Sequence, residues 1–165
     1  MARDSSFDVV SETDMQEVSN AVNNAVKAIR QRYDLKGSGS EIELDKAGLT
    51  VTVRAPDEFT AGQVRDILDT QLAKRGVELS ALSWGGVEEA AGATVRQTAS
   101  IAQGIEQDIA KRINKDIKGA KRKVKVTIES DKLRISSSSK DELQATIAFL
   151  RSQDYGIPLQ YVNYR

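Results

Sequence analysis

Apolar residues recur along this chain at two spacings, every second residue and every third or fourth, and the points where one gives way to the other mark out its elements. Ser6 to Glu12 alternates briefly, with Phe7 and Val9 on one side, as a short strand does. Thr13 or Asp14 then caps a helix over Asp14 to Tyr33, where Val18, Val22, Val26 and Ile29 repeat at helical spacing and Asn20, Asn23, Asn24 and Lys27 lie away from them. The loop Asp34 to Ser40 carries two glycines and two serines, enough to end that helix. Glu41 to Leu44 and Leu49 to Val53, joined through Asp45 to Gly48, form a predicted β-hairpin with Ile42, Leu44, Leu49, Val51 and Val53 facing a core. Asp57 opens a second helix that runs to Arg75 and is ended by Gly76. From Val77 to Ile101 the pattern is mostly extended, interrupted by Gly85, Gly86 and Gly92.

The same order then recurs. Ile105, Ile109, Ile113 and Ile117 make one apolar helical face ending at Gly119, with Lys111, Lys115 and Lys118 together on the opposite side. At an offset of 84 residues Ile42 matches Val126, Leu44 matches Ile128, Leu49 matches Leu133, Val51 matches Ile135, and Asp57-Glu58-Phe59 matches Asp141-Glu142-Leu143. For the preceding helices the offset is 87, with Val18, Val22 and Val26 on Ile105, Ile109 and Ile113, which places three extra residues near Gly37 to Ser40. The expected fold class is therefore α+β: two ferredoxin-like βαββαβ units, each an antiparallel sheet with two helices on one face. Units of about 80 residues have thin cores, so the two are expected to share an interface.

Composition narrows the chemistry. The chain has 165 residues, 39% of them hydrophobic, enough to bury a core. It lacks cysteine and histidine, which excludes disulfides, thiolate nucleophiles, zinc sites built on those ligands and imidazole acid–base catalysis. Carboxylates are dispersed and no nucleophile–base pair stands out, so no enzyme, cofactor or metal is expected. There is no run of about 18 apolar residues, and MARDSSFDVV lacks the basic-then-apolar order of a signal peptide, so the cytoplasm is the expected location and no membrane partner is expected. The 24 basic and 24 acidic residues cancel overall, but residues 1–80 hold 10 basic against 14 acidic and residues 81–165 hold 14 against 10. Anionic partners should prefer the second half.

Within that half Lys121, Arg122, Lys123 and Lys125 form the densest cationic run, with no acidic residue in the sequence before Glu129. The helical lysines read better as a solvated face, because Asp108 precedes Lys111 and Arg112 at ordinary ion-pair spacing. Trp84 stands beside Gly85 and Gly86, where a base could stack on its ring, or else packs inward; Arg96 could reach the same groove or be an exposed strand residue. Ser136 to Ser139 reads as a polar turn capping the next helix, since no phosphate-loop glycine fingerprint is present. Tyr161 and Tyr164 cannot share one side of a regular strand, so at most one is expected as a surface platform. The outward strand positions Glu41, Glu43, Thr50, Thr52 and Arg54, and Lys125, Thr127, Glu129, Arg134 and Ser136, include no aromatic residue of the kind recognition-motif RNA binding needs.

SFDVVSETDMQEV near the start, LAKRG at Leu72 to Gly76, QGIEQDIAKRINKDIK, KVKV at Lys123 to Val126, DELQATIAFLR at Asp141 to Arg151 and the final PLQYVNYR resemble the YajQ family of bacterial nucleotide-binding proteins over essentially the whole chain. The resemblance implies a cytoplasmic protein of two ferredoxin-like domains that exchange their N-terminal strands, so that the strand at Phe7 joins the sheet containing Tyr161. The domains would then be 13–100, with strand 94–101 near the exchange, and 101–165 plus strand 5–12. Members are described as nucleotide-binding, and some as cyclic-di-GMP effectors. Where many members have a Gly-Lys pair and an Arg before the last helix, this chain has Ser136 to Ser139 and Lys140, which weakens phosphate binding if that turn makes a contact.

The expectation is a non-catalytic nucleotide-binding protein, a cyclic-di-GMP or purine nucleotide effector acting through a partner, with its ligand in a groove between the units. Lys121, Arg122, Lys123 and Lys125 would hold phosphate, Trp84 would stack the base and Arg96 would be a second cation. The competing readings are an RNA- or tRNA-binding module using the basic second half, and an adaptor that binds only protein.

Overall fold

The computed structural model describes residues 4–165; Met1 to Arg3, part of the stretch judged against a signal peptide, lie outside the described residues. In chain order the elements are β1 (Ser5–Val10), α1 (Met15–Gln31), β2 (Glu41–Asp45), β3 (Thr50–Ala55), α2 (Glu58–Lys74), β4 (Leu82–Trp84), β5 (Glu88–Ala90), β6 (Thr94–Ile101), α3 (Gln107–Gly119), β7 (Lys125–Glu129), β8 (Lys132–Ser137), α4 (Lys140–Arg151) and β9 (Gln160–Val162). Two units divide them, Thr13–Ala102 and Gln103–Arg165, the latter taking the N-terminal residues through Glu12.

In the unit 13–102 the sheet order is β2-β3-β6-β4, all antiparallel, with the short β5 also paired to β6. Local chemistry sets the helix limits. The Asp14 carboxylate accepts the Gln16 and Glu17 N–H groups and Asp57 accepts that of Thr60 at 2.7 Å, so each helix begins where an acidic side chain satisfies otherwise orphaned donors. Gly76, at φ +77°, ends α2 in the left-handed conformation that glycine adopts without strain. Val18, Ala21 and Ala25 of α1, Val64, Leu68 and Leu72 of α2, and Val51, Val53 and Ala99 of the strands are fully buried together. Each such aliphatic side chain larger than alanine contributes about 1.5–3 kcal/mol by leaving water.

In the other unit the order is β7-β8-β1-β9, again antiparallel, with Phe7, Val9, Leu133 and Ile135 packed against Ile113 and Ile117 of α3 and Leu150 of α4. Two antiparallel sheets and four helices are compatible with the two ferredoxin-like units expected. The strand offset of 84 carries through to burial, since Val51 and Ile135 are both fully inaccessible.

Three details differ from expectation. Ile105 precedes α3 rather than belonging to it: Gly104 sits at φ +84° and the Ile105 N–H bonds the Asp131 carbonyl at 2.7 Å, so the chain turns there before the helix begins. The two leading helices align in burial at an offset of 88, not 87, with Val22, Ala25 and Ile29 matching Ala110, Ile113 and Ile117. Small alanines sit deepest against the sheet, and a pattern drawn from branched residues alone misses them. Finally, Asn163 at φ +56° interrupts the regular strand after β9, and the Ser6 and Arg165 backbones then bond each other reciprocally at 3.0 and 3.2 Å. This bulge resets the side-chain alternation. Tyr161 and Tyr164 consequently both lie against Phe7, each with ring centroids 6.1 Å away, although a regular strand would have kept them apart.

Candidate functional site

Strand alternation decides what the helix-free face of the second unit presents. Phe7, Val9, Leu133 and Ile135 point to the helices, so Asp8 and Lys132, Arg134 and Ser136 point the other way, as do Lys125, Thr127 and Glu129 on β7. Asp8 is fully covered on that face, and four donors converge on it. Asn163 Nδ2 lies 2.8 Å from Oδ2, Lys132 Nζ 3.4 Å from the same oxygen, Arg134 Nε 3.3 Å from Oδ1, and Arg165 Nη1 3.7 Å from Oδ1. The left-handed Asn163 is what aims its amide back at Asp8. Burial works against the charge on Asp8, but the hydrogen bonds from Asn163, Arg134 and Lys132 outweigh it and hold the carboxyl below its ordinary 3.8.

The three cations around Asp8 keep hydrogen-bonding capacity beyond it. A committed charge-assisted contact is about 2.7–2.9 Å long, whereas the three cations stand 3.3–3.7 Å from Asp8. They are gathered but retain donors for another acceptor, and all three are a third to a half exposed. The other carboxylate on this face is Glu129, 3.5 Å from Arg134 Nη1. With Lys125 included, four cations oppose Asp8 and Glu129.

The expected phosphate ligands divide between this face and its margin. Lys125 is exposed and shares the register of Thr127, so it lies on the same face as Arg134; Lys121, at φ +56°, Arg122 and the exposed Lys123 lie in the turn before β7. No ion pair engages any of the four among the described residues. The fold does bring one acid close that the sequence separates, because Glu142 accepts the Lys123 backbone N–H at 3.2 Å. Ser137 donates to the Lys123 carbonyl and Ser139 accepts the Glu142 N–H, so the serine turn caps α4, as its sequence suggested.

Trp84 and Arg96 belong to the other unit. Trp84 pairs with Ala99 and so shares its helix-facing side, where the Arg65 guanidinium covers the indole at 4.7 Å from the ring centroid. Arg65 also donates to Gln97 Oε1, and Gln97 Nε2 donates to the Gly85 carbonyl at 2.7 Å. Arg96, three residues before Ala99, points to the opposite face, beside Arg54 and bonded to Glu88 at 2.9 Å. The expectation that Trp84 and Arg96 line one groove is therefore corrected by the register. Asp8, Lys132, Asn163 and Arg165 escaped the sequence reading; the available signal was a lone aspartate between two core residues of a strand.

One tyrosine of the same unit is tied into its structure. The Tyr155 hydroxyl donates to Asp116 at 2.8 Å beneath the Arg112 guanidinium, and burial together with that carboxylate pushes its pKa well up. No cluster of three or more acidic residues able to hold a metal occurs among the described residues, and among them no helix is long and apolar enough to cross a membrane.

Fold and face together define a two-unit α+β protein that presents anion-attracting groups on an open sheet. The chain belongs to the YajQ family: the family model described as nucleotide-binding protein YajQ-like matches residues 5–165. It is 50% identical, over the full length of both chains, to proteins of Bacillus cereus, Bacillus anthracis and Bacillus thuringiensis, each named a nucleotide-binding protein.

Proposed function

We propose that the ligand is a purine nucleotide or a cyclic dinucleotide such as cyclic-di-GMP, held without chemical turnover by the cationic sheet face of the C-terminal unit. The observation that carries this reading is the convergence of Lys132, Arg134 and Arg165 on the covered Asp8. A buried carboxylate gathers three cations in advance, so a phosphate meets charges already drawn together. Lys125 extends the same field towards the edge of the sheet, with Lys121, Arg122 and Lys123 on its margin. A guanidinium plane can stack a purine and also reach its O6 and N7 acceptors, a second use for Arg134 or Arg165. Trp84 and Arg96 stand outside this reading. The reading also takes the protein as a cytoplasmic effector that passes its bound state to a partner, and β1 and β6 as exchanged strands, since each directly precedes a helix of one unit and pairs in the sheet of the other.

Calorimetric titration with cyclic-di-GMP, GTP and ATP tests it. Saturation with Kd below about 100 µM by one of them is expected, weakened roughly tenfold in Arg134→Ala. Absence of saturation by all three, or binding indifferent to Arg134→Ala, overturns it. A steep fall of affinity with salt for an RNA probe, exceeding that of every nucleotide, would instead favour the RNA- or tRNA-binding reading.

A further inference from the structure

The edges of the two sheets are not alike. β4 and β9 are three residues long and β7 opens with Lys125, and short strands and edge lysines are ordinary safeguards against unwanted pairing. β2 has neither. It runs against β3 from Glu41↔Arg54 to Asp45↔Thr50 with no proline and no bulge, and its outer edge pairs with no strand among the described residues. Its residues alternate strictly: Glu41, Glu43 and Asp45 are exposed on the helix-free side, while Ile42 is buried and Leu44 partly buried towards the core. Beside that edge lies a groove of about 340 Å³, lined by Val26, Ile29 and Arg30 of α1 and by Glu41, Ile42 and Glu43.

We infer that β2 and this groove receive an extended segment of a partner protein in which basic and apolar residues alternate. Added as a further strand, the segment would pair with the free backbone groups of β2 and set every second side chain opposite Ile42 and Leu44, over the apolar floor of Val26 and Ile29. The intervening side chains would stand opposite Glu41, Glu43 and Asp45, where cations are the match. Glu41 has no ion pair among the described residues, Asp45 accepts the Gly48 N–H at 2.9 Å, and Glu43 shares its carboxylate with Arg54 at 2.9 Å. The same three acids discourage β2 of one copy from pairing with β2 of another, because like charges would then face each other. Charge therefore selects a basic partner over a second acidic edge. Arg30 lines the groove from α1, on the side to which the partner's apolar residues point, away from its basic ones. The inference is independent of the nucleotide reading, because β2 belongs to the unit 13–102 and the cations around Asp8 to the other.

Fluorescence anisotropy of a labelled peptide, Gly-Lys-Ile-Lys-Val-Lys-Gly, against the full chain tests it. Saturation with Kd below about 100 µM is expected at low salt. The scrambled peptide Gly-Lys-Lys-Lys-Ile-Val-Gly, and the alternating one methylated on its backbone nitrogens, should each bind at least about tenfold more weakly. Both keep the charge, so their loss isolates the alternation and the backbone pairing, and neither needs a folded variant. E41K/E43K should lose the lysine peptide and bind Gly-Glu-Ile-Glu-Val-Glu-Gly, which the wild type should not. Absence of saturation by the alternating peptide, or equal binding of its scrambled and methylated forms, overturns the inference. So does concentration-dependent self-association of the full chain in sedimentation that E41K/E43K abolishes, which would give the groove to a second copy. Nucleotide titration should be unchanged in E41K/E43K, so that failure of either reading is seen apart from the other.

Discussion

Asn163 donates to Asp8 across 155 residues of chain, Nδ2 to Oδ2 at 2.8 Å, and does so from a left-handed backbone conformation. Asparagine tolerates that conformation better than other side-chain-bearing residues. One residue therefore fixes both the bulge and the buried carboxylate. Asn163→Gly should keep the bulge and lose only the hydrogen bond, costing about 1 kcal/mol. Asn163→Val should lose both and cost about 2–3 kcal/mol. Urea unfolding of the two variants distinguishes these outcomes; equal losses would show that the backbone conformation is not the constraint.

Asp8 governs acid stability through its lowered pKa. A carboxylate held below its ordinary 3.8 contributes stability that is fully present above that value and is lost as pH falls through the folded-state pKa. Asp8→Asn should be less stable than wild type at pH 7, and the gap should narrow below about pH 4. Chemical denaturation at several pH values measures it, and a gap that widens on acidification would contradict the assignment.

Removing the organising carboxylate should also alter ligand binding in a way that removing a distant cation does not. Asp8→Asn keeps every cation but frees their positions, so nucleotide affinity should fall several-fold despite a more positive face. Lys140→Ala, on α4 and away from that face, should leave affinity within about twofold. Calorimetry of both variants at one salt concentration provides the comparison. Tighter binding by Asp8→Asn would mean that net charge, and not order, sets the affinity.

Gly104 is constrained twice over. Its φ is +84°, and a Cβ built there would come within 2.7 Å of the Asp131 Oδ2 and 2.9 Å of the Asp131 Cβ. Gly104→Ala should destabilise the protein by about 1–3 kcal/mol, read as a lower unfolding midpoint. Gly104→Ala combined with Asp131→Gly should recover the steric part and leave the backbone part.

The elements were legible because their signals are local. Asp14, Asp57 and Gly76 announce helix limits through their own side chains or lack of one, and Val51 and Val53 announce a face by alternation. The Lys121 to Lys125 run was visible for the same reason. The group around Asp8 was not, because it joins β1, β8 and the residues after β9 through a sheet order that spacing does not encode. Nor could spacing show that Trp84 and Arg96 face apart, which depends on the pairing of Trp84 with Ala99, or that a bulge at Asn163 would bring Tyr161 and Tyr164 to one side.

The sheet order has a consequence for how the chain is made. β1 is synthesised first, yet its neighbours are β8 and β9, the last of which lies some 150 residues further on. Everything the unit 13–102 needs for its own sheet has left the ribosome long before then. Phe7, Val9 and Val10 must meanwhile travel without the partners that later cover them. β1 is thus among the last strands to find its place, and its apolar residues wait on the nascent chain until β8 and β9 follow.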